Sequence, residues 1–186
     1  MVAKLFLCTH KYQSYDPFIA TRYLVKNKFI KSSDVVGSVT SDKIWKKRLE
    51  ILKKYKYLDY IVTKLMGFNY TVFVTRNDCK KNILELLDNN GTVIIYYEKN
   101  RCSKTKIFNV LKSCKQPVEL YFLSIKANCN EIRTRGNKNT YWNTYWYHHL
   151  KISPFVFNCK VKLIQMNSKR SPEELQRKLT KFINNN

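Results

Sequence analysis

From Thr71 to Ser124 short runs of β-branched and aromatic residues alternate with segments whose apolar positions recur at helical spacing. The pattern predicts strands over Thr71–Thr75, Thr92–Tyr97 and Glu119–Leu123, and helices over Lys80–Leu87 and Ser103–Lys112. Each connection has room for one crossover helix, so the three strands belong to one parallel sheet with right-handed crossovers. Asn89-Asn90-Gly91 reads as a turn that tolerates the left-handed backbone. The expected fold class is therefore α/β, a parallel sheet with crossover helices.

The flanks attach to this core. Lys4–Cys8 reads as a first strand and leads through a polar loop into a helix capped by Asp16, with Pro17 in its first turn. Its apolar stripe is Phe18, Ile19, Tyr23, Leu24 and Val25. Val35–Val39 is a short strand. Ser41 then caps a long helix with Ile44, Trp45, Leu49, Leu52, Ile61, Val62 and Leu65 on one side and Lys46, Lys47, Lys53, Lys54 and Lys56 on the other; a break near Lys56–Asp59 splits it. The run Leu65-Met66-Gly67-Phe68 ends that region as core, with Gly67 as a C-cap. After Pro154 the alternation Val156, Cys159, Val161, Leu163 reads as a strand or hairpin arm. Ser171-Pro172-Glu173-Glu174 announces a last helix through an N-cap, a first-turn proline and the Glu of a capping box, with Leu175, Leu179, Phe182 and Ile183 buried. The expected division is an α/β core domain over 1–126 and a small C-terminal extension over 127–186.

Charge changes this picture. The chain has 186 residues, 44% apolar and 14% aromatic, and a formal net charge of +22. That length suits one domain. The charge favours a polyanionic partner through counterion release, nucleic acid first; codon drift in an AT-rich genome is the bland account of the same lysines. Between Glu98 and Pro117, Lys99, Arg101, Lys104, Lys106, Lys112 and Lys115 face only Glu98, which predicts a basic helix at the sheet edge. Ala127–Lys138 carries Arg133, Arg135 and Lys138. It is followed by the tandem Asn139-Thr-Tyr-Trp and Asn143-Thr-Tyr-Trp, so that Tyr141, Trp142, Tyr145, Trp146 and Tyr147 stand close together. Aromatics beside cations suit a single-stranded nucleic-acid platform, because bases stack on rings while phosphates meet the charges. The same aromatics also suit packing on one helix face against the sheet.

Candidate chemistry is sparse. Neither G-x-x-x-x-G-K-[ST] nor G-x-G-x-x-G occurs among the four glycines, so no phosphate cradle is expected and no nucleotide cofactor with it. The six cysteines form no C-x-x-C pair and no zinc set, and read as reduced thiols of an intracellular compartment. His148 and His149 are adjacent and do not share one metal. A catalytic pairing of His with Cys159 has nothing to activate the thiol. No secretory signal or membrane span is expected, and no membrane partner. Glu119 and Lys126 have the wrong spacing for a metal-dependent nuclease, and no paired carboxylates stand elsewhere. The expectation is a non-catalytic protein without cofactor or metal.

Residues 64–123 resemble, more loosely from residue 4 to 125, the N-terminal domain of the delta subunit of bacterial DNA polymerase III, a clamp-loader protein. The resemblance rests on Arg76-Asn77 after the strand Val72–Thr75 and on Ser103-Lys104-Thr105-Lys106-Ile107-Phe108-Asn109-Val110-Leu111-Lys112, which follows the family pattern K-[RST]-x-K-[LI]-[FY]-x-x-L-K. It implies an AAA+-like, nucleotide-binding-type domain without a working phosphate loop, in a protein of DNA replication. It also implies contact with a sliding clamp through the apolar residues before the Arg-Asn strand, here Leu65, Met66 and Phe68, and association with other clamp-loader subunits and DNA. Family members are about twice as long, and residues 127–186 match neither their lid nor their collar. The sequence thus carries two expectations: a delta-like replication factor, and a basic protein binding single-stranded nucleic acid or RNA through Arg101, Lys104, Lys106, Arg133, Arg135, Lys138, Tyr141, Trp142, Tyr145 and Trp146.

Overall fold

The computed structural model describes residues 2–9, 15–31, 34–40, 69–74, 79–97, 106–127 and 159–185. Within them lie β1 (Ala3–Thr9), α1 (Tyr15–Lys26), β2 (Val35–Thr40), β3 (Asn69–Val74), α2 (Cys79–Asp88), β4 (Thr92–Tyr97), α3 (Ile107–Leu111), β5 (Val118–Ala127), β6 (Cys159–Met166) and α4 (Pro172–Asn184). The six strands form one sheet in the order β3-β2-β4-β1-β5-β6. The first five are mutually parallel, and β6 runs antiparallel to β5. The fold is α/β.

Successive connections step outward from β1 to β2 to β3 and then back through β4 to β5, skipping a strand except between β2 and β3. Right-handed crossovers require the helices made before and after such a reversal to lie on opposite faces. The core obeys this. Leu5, Leu7, Val93, Ile95, Leu120 and Phe122 point to the face covered by α2, α3 and α4. Phe6, Cys8, Ile94, Tyr121, Leu123 and Ile125 point to the face covered by α1. Both faces of β1, β4 and β5 are therefore apolar through the middle of each strand, where Leu5–Cys8, Val93–Ile95 and Leu120–Leu123 read as hydrophobic runs.

Most predicted elements are present with shifted ends, and the shifts have local causes. The first helix begins at Tyr15, so Asp16 lies in its first turn rather than at the cap. Ile19, Ala20 and Leu24 are buried, but Val25 is exposed, so the apolar stripe is narrower than predicted. Lys106 has φ −97 and ψ 3 and caps α3 without a side-chain hydrogen bond, so this helix starts at Ile107 instead of Ser103. Nor is α3 an edge helix. It buries Ile107, Phe108, Val110 and Leu111, packs between α2 and α4, and carries its charge only at its ends, on Lys106 and Lys112.

Residues 41–68, with the predicted long helix, lie outside the described residues. The C-terminal region contributes a sixth strand and a helix to the same core: Leu175, Leu179, Phe182 and Ile183 are buried with Leu120 and Phe122. Ser171 caps α4, its hydroxyl accepting the Glu174 N–H at 3.2 Å. The carboxylate of Glu174 turns instead to Arg170 and Lys178, so only this half of the predicted capping box is made by Glu174. Asn90 adopts φ 58 in the turn that closes α2.

Candidate nucleic-acid interface

In open α/β sheets ligands gather outside the carboxyl ends of the strands, where neighbouring connections leave in opposite directions. Here that place is the pair β1 and β4. The chain after Thr9 goes to the α1 face, and the chain after its partner Tyr97 goes to the face of α2 and α3. The ground beneath this edge is polar and closed. Thr9, Asp16, Thr21 and Ser124 are all buried. Burial pushes the Cys8 thiol well above its ordinary 9.0, and the negative charge of Asp16 pushes in the same direction, so Cys8 is held as an unreactive thiol. Cys79 and Cys114 are likewise raised by burial, Cys114 to about 11.

Beside this edge, β5 and β6 end in a rung where Ala127 faces Cys159. The segment 128–158, with its arginines and tandem aromatics, therefore leaves and re-enters the sheet at adjacent positions of its carboxyl end. The connection after Tyr97, which contains Arg101 and Lys104, leaves the same end.

The rungs just inside carry Lys126 opposite Lys160 and Ser124 opposite Lys162. Alternation puts these residues on the face of Phe122 and α4, away from α1, and the Lys162 ammonium stands 5.9 Å from the centroid of the Phe182 ring. All three lysines are exposed. Like charges directly across an antiparallel pair repel, so the pairing of Lys126 with Lys160 favours an anion between them. Among the described residues the acid nearest to Lys126 in sequence, Glu119, lies on the opposite face with Tyr121, which donates its O–H to it at 2.9 Å. Ser124 is 2% exposed, and its hydroxyl has no hydrogen-bond partner among the described residues.

Of the residues that the sequence assigns to nucleic-acid or clamp contact, only Lys106 lies among those described, exposed at the start of α3. Arg101, Lys104, Arg133, Arg135, Lys138, Tyr141, Trp142, Tyr145 and Trp146 lie outside them, as do Leu65, Met66 and Phe68. The last three precede Asn69, the first residue of β3, and so lead into the amino end of the sheet at its far edge. The two candidate sets thus connect to opposite ends of the sheet. The lysine pair across β5 and β6 was missed by sequence reasoning. Its signal was present in Lys160-Val161-Lys162, where alternation in a strand sends both charges to one face.

Among the described residues no group of His, Cys, Asp and Glu is placed to hold a metal ion, and no helix is long and apolar enough to cross a membrane. Comparison with known proteins finds no family model, no curated protein and no solved structure that matches the chain.

Proposed function

We propose that the protein binds single-stranded nucleic acid, DNA before RNA, at the carboxyl end of its sheet, and does so without catalysing a reaction. The observation that carries this reading is the Ala127–Cys159 rung. It sets both ends of segment 128–158, with its tandem aromatics, Arg133 and Arg135, beside the exposed Lys126, Lys160 and Lys162. Cations for phosphates and rings for bases are the two components of single-strand binding without strong sequence preference, and a net charge of +22 supplies the long-range attraction. Titrating the protein with unlabelled oligothymidylate tests the reading. Tryptophan fluorescence quenches as bases stack on Trp142 and Trp146, recovers with added salt, and loses its response in Trp142→Phe/Trp146→Phe. An unquenched wild type with no measurable binding overturns it.

A second reading is a delta-like clamp-loader role in DNA replication. It is favoured by the order strand, helix, strand, helix, strand from β3 to β5, all parallel in one sheet, with Leu65, Met66 and Phe68 leading directly into β3. On this reading the domain is AAA+-like and works without a phosphate loop, and its partners are a sliding clamp and other clamp-loader subunits. Capture of a sliding clamp by wild type, and its loss in Leu65→Ala/Phe68→Ala with unchanged circular dichroism, supports this role. No capture by wild type removes it. The two readings place contact at opposite ends of the sheet, so each assay leaves the other undisturbed.

A further inference from the structure

We infer that Lys126, Lys160 and Lys162 form the phosphate track of the interface, so that a bound single strand crosses the β5–β6 pair on its α4 face and not on its α1 face. The inference rests on the nucleic-acid reading above and adds a path to it.

Two lysines stand opposite each other and the third follows two residues along the same strand. This makes a row of ammonium groups on a rigid ladder, held by the pairing that runs from Leu120 with Met166 to Ala127 with Cys159. A row set by strand register suits a polyanion with regularly repeated charge better than it suits a single small anion. The opposite face of the same strands offers no such row. There Ile125 and Leu123 are buried and Val161 and Leu163 pack against the core under α1.

The carboxylates of α4 stand away from the ladder. Glu173 lies at the helix start within the field of Lys112, and Glu174 is engaged by Arg170 and Lys178. The other end of α4 brings Phe182 under Lys162, whose ammonium stands 5.9 Å from the ring centroid. Because the Ser124 hydroxyl is sealed from solvent, contact with phosphate falls on the three lysines.

The test measures binding of a fluorescent oligothymidylate by anisotropy over a range of salt, for wild type and for Lys126→Gln/Lys160→Gln/Lys162→Gln. Removing three phosphate contacts lowers the slope of log affinity against log salt by about 2, at about 0.7 per contact on a single strand. The triple arginine variant restores it, and Lys28→Gln/Lys31→Gln on the other side of the molecule leaves it unchanged. Lys160 and Lys162 also sit on an edge strand, where lysines discourage self-pairing. If the triple variant self-associates, Lys126→Gln alone, on the interior strand β5, reads a drop of about 0.7. An unchanged slope in these variants overturns the track while wild-type binding keeps the parent reading intact. Absence of wild-type binding overturns both.

Discussion

The Thr9 hydroxyl accepts the backbone N–H of Ile125 at 3.1 Å, just beyond the last rung of the β1–β5 ladder, where Cys8 faces Leu123. Thr9 is 1% exposed and Ile125 fully buried, so this side chain carries the bonding between the two strands past their last rung. Thr9→Val keeps the shape and strands a buried N–H, at a cost of about 1–3 kcal/mol. Urea denaturation of Thr9→Val against Thr9→Ser checks this, with the serine variant close to wild type. Equal stability of all three would show that the bond contributes nothing.

The turn after α2 makes a second prediction. The Gly91 N–H donates to the Leu86 carbonyl at 2.8 Å, and a Cβ at position 91 would come within 2.7 Å of that same oxygen and 2.6 Å of Leu86 Cγ. Backbone cannot move aside as a side-chain end can. Gly91→Ala therefore costs about 1–3 kcal/mol through overpacking. Asn90→Gly, by contrast, leaves stability nearly unchanged, because φ 58 is open to glycine. Thermal melting of the two variants distinguishes them.

At the start of α4, Ser171→Ala removes a cap and costs about 1 kcal/mol. The helix also gives an acid signature. Glu173 is held below its ordinary 4.5 first by a hydrogen bond from its own backbone N–H and then by Ser171, and Glu174 chiefly by Arg170, with Lys178 adding to the effect. For carboxylates with lowered folded pKa the stabilisation is present above about pH 4.5 and fades as pH falls through the folded values. Glu174→Gln therefore narrows the stability difference from wild type as pH drops below 4.5. A difference independent of pH would remove the ion-pair explanation.

How far the sequence foretold this fold depended on whether a signal was local. Thr92–Tyr97 and the α4 cap with its four buried positions were legible because strand propensity, a capping residue and a proline sit within a few residues of each other. Strand order was not. The insertion of β1 between β4 and β5, and of β2 between β3 and β4, depends on which parallel neighbours share the sheet interior, and all these strands are similarly apolar. The start of α3 was misread because Ser103, Thr105 and their neighbours have acceptable helical spacing, whereas Lys106 leaves the helical region. In the candidate interface, the arginines and aromatics stood out by composition. The Lys126–Lys160 juxtaposition did not, because cross-strand register joins residues far apart in sequence.

The last prediction concerns Tyr121 on the α1 face. Its ring stacks on Phe6 at 4.9 Å with 14° between the planes, and Phe29 meets it edge-on at 5.5 Å. Burial, then the hydrogen bond to Glu119, then the charge of Glu119 push the phenol up from 10.0 to about 12. All three favour the protonated form in the folded protein. Stability from this group is complete below pH 10.0 and is lost as pH rises through about 12, since the unfolded chain then releases its proton first. The wild type therefore loses stability relative to Tyr121→Phe between those two values, and the difference is flat at lower pH. The phenolate absorbance of wild type minus Tyr121→Phe reads the same group directly and titrates above the ordinary tyrosine range. Glu119→Gln keeps an acceptor but removes the charge, and brings that titration part of the way back. A difference spectrum centred at the ordinary tyrosine value would mean that the Glu119 contact does not hold in solution.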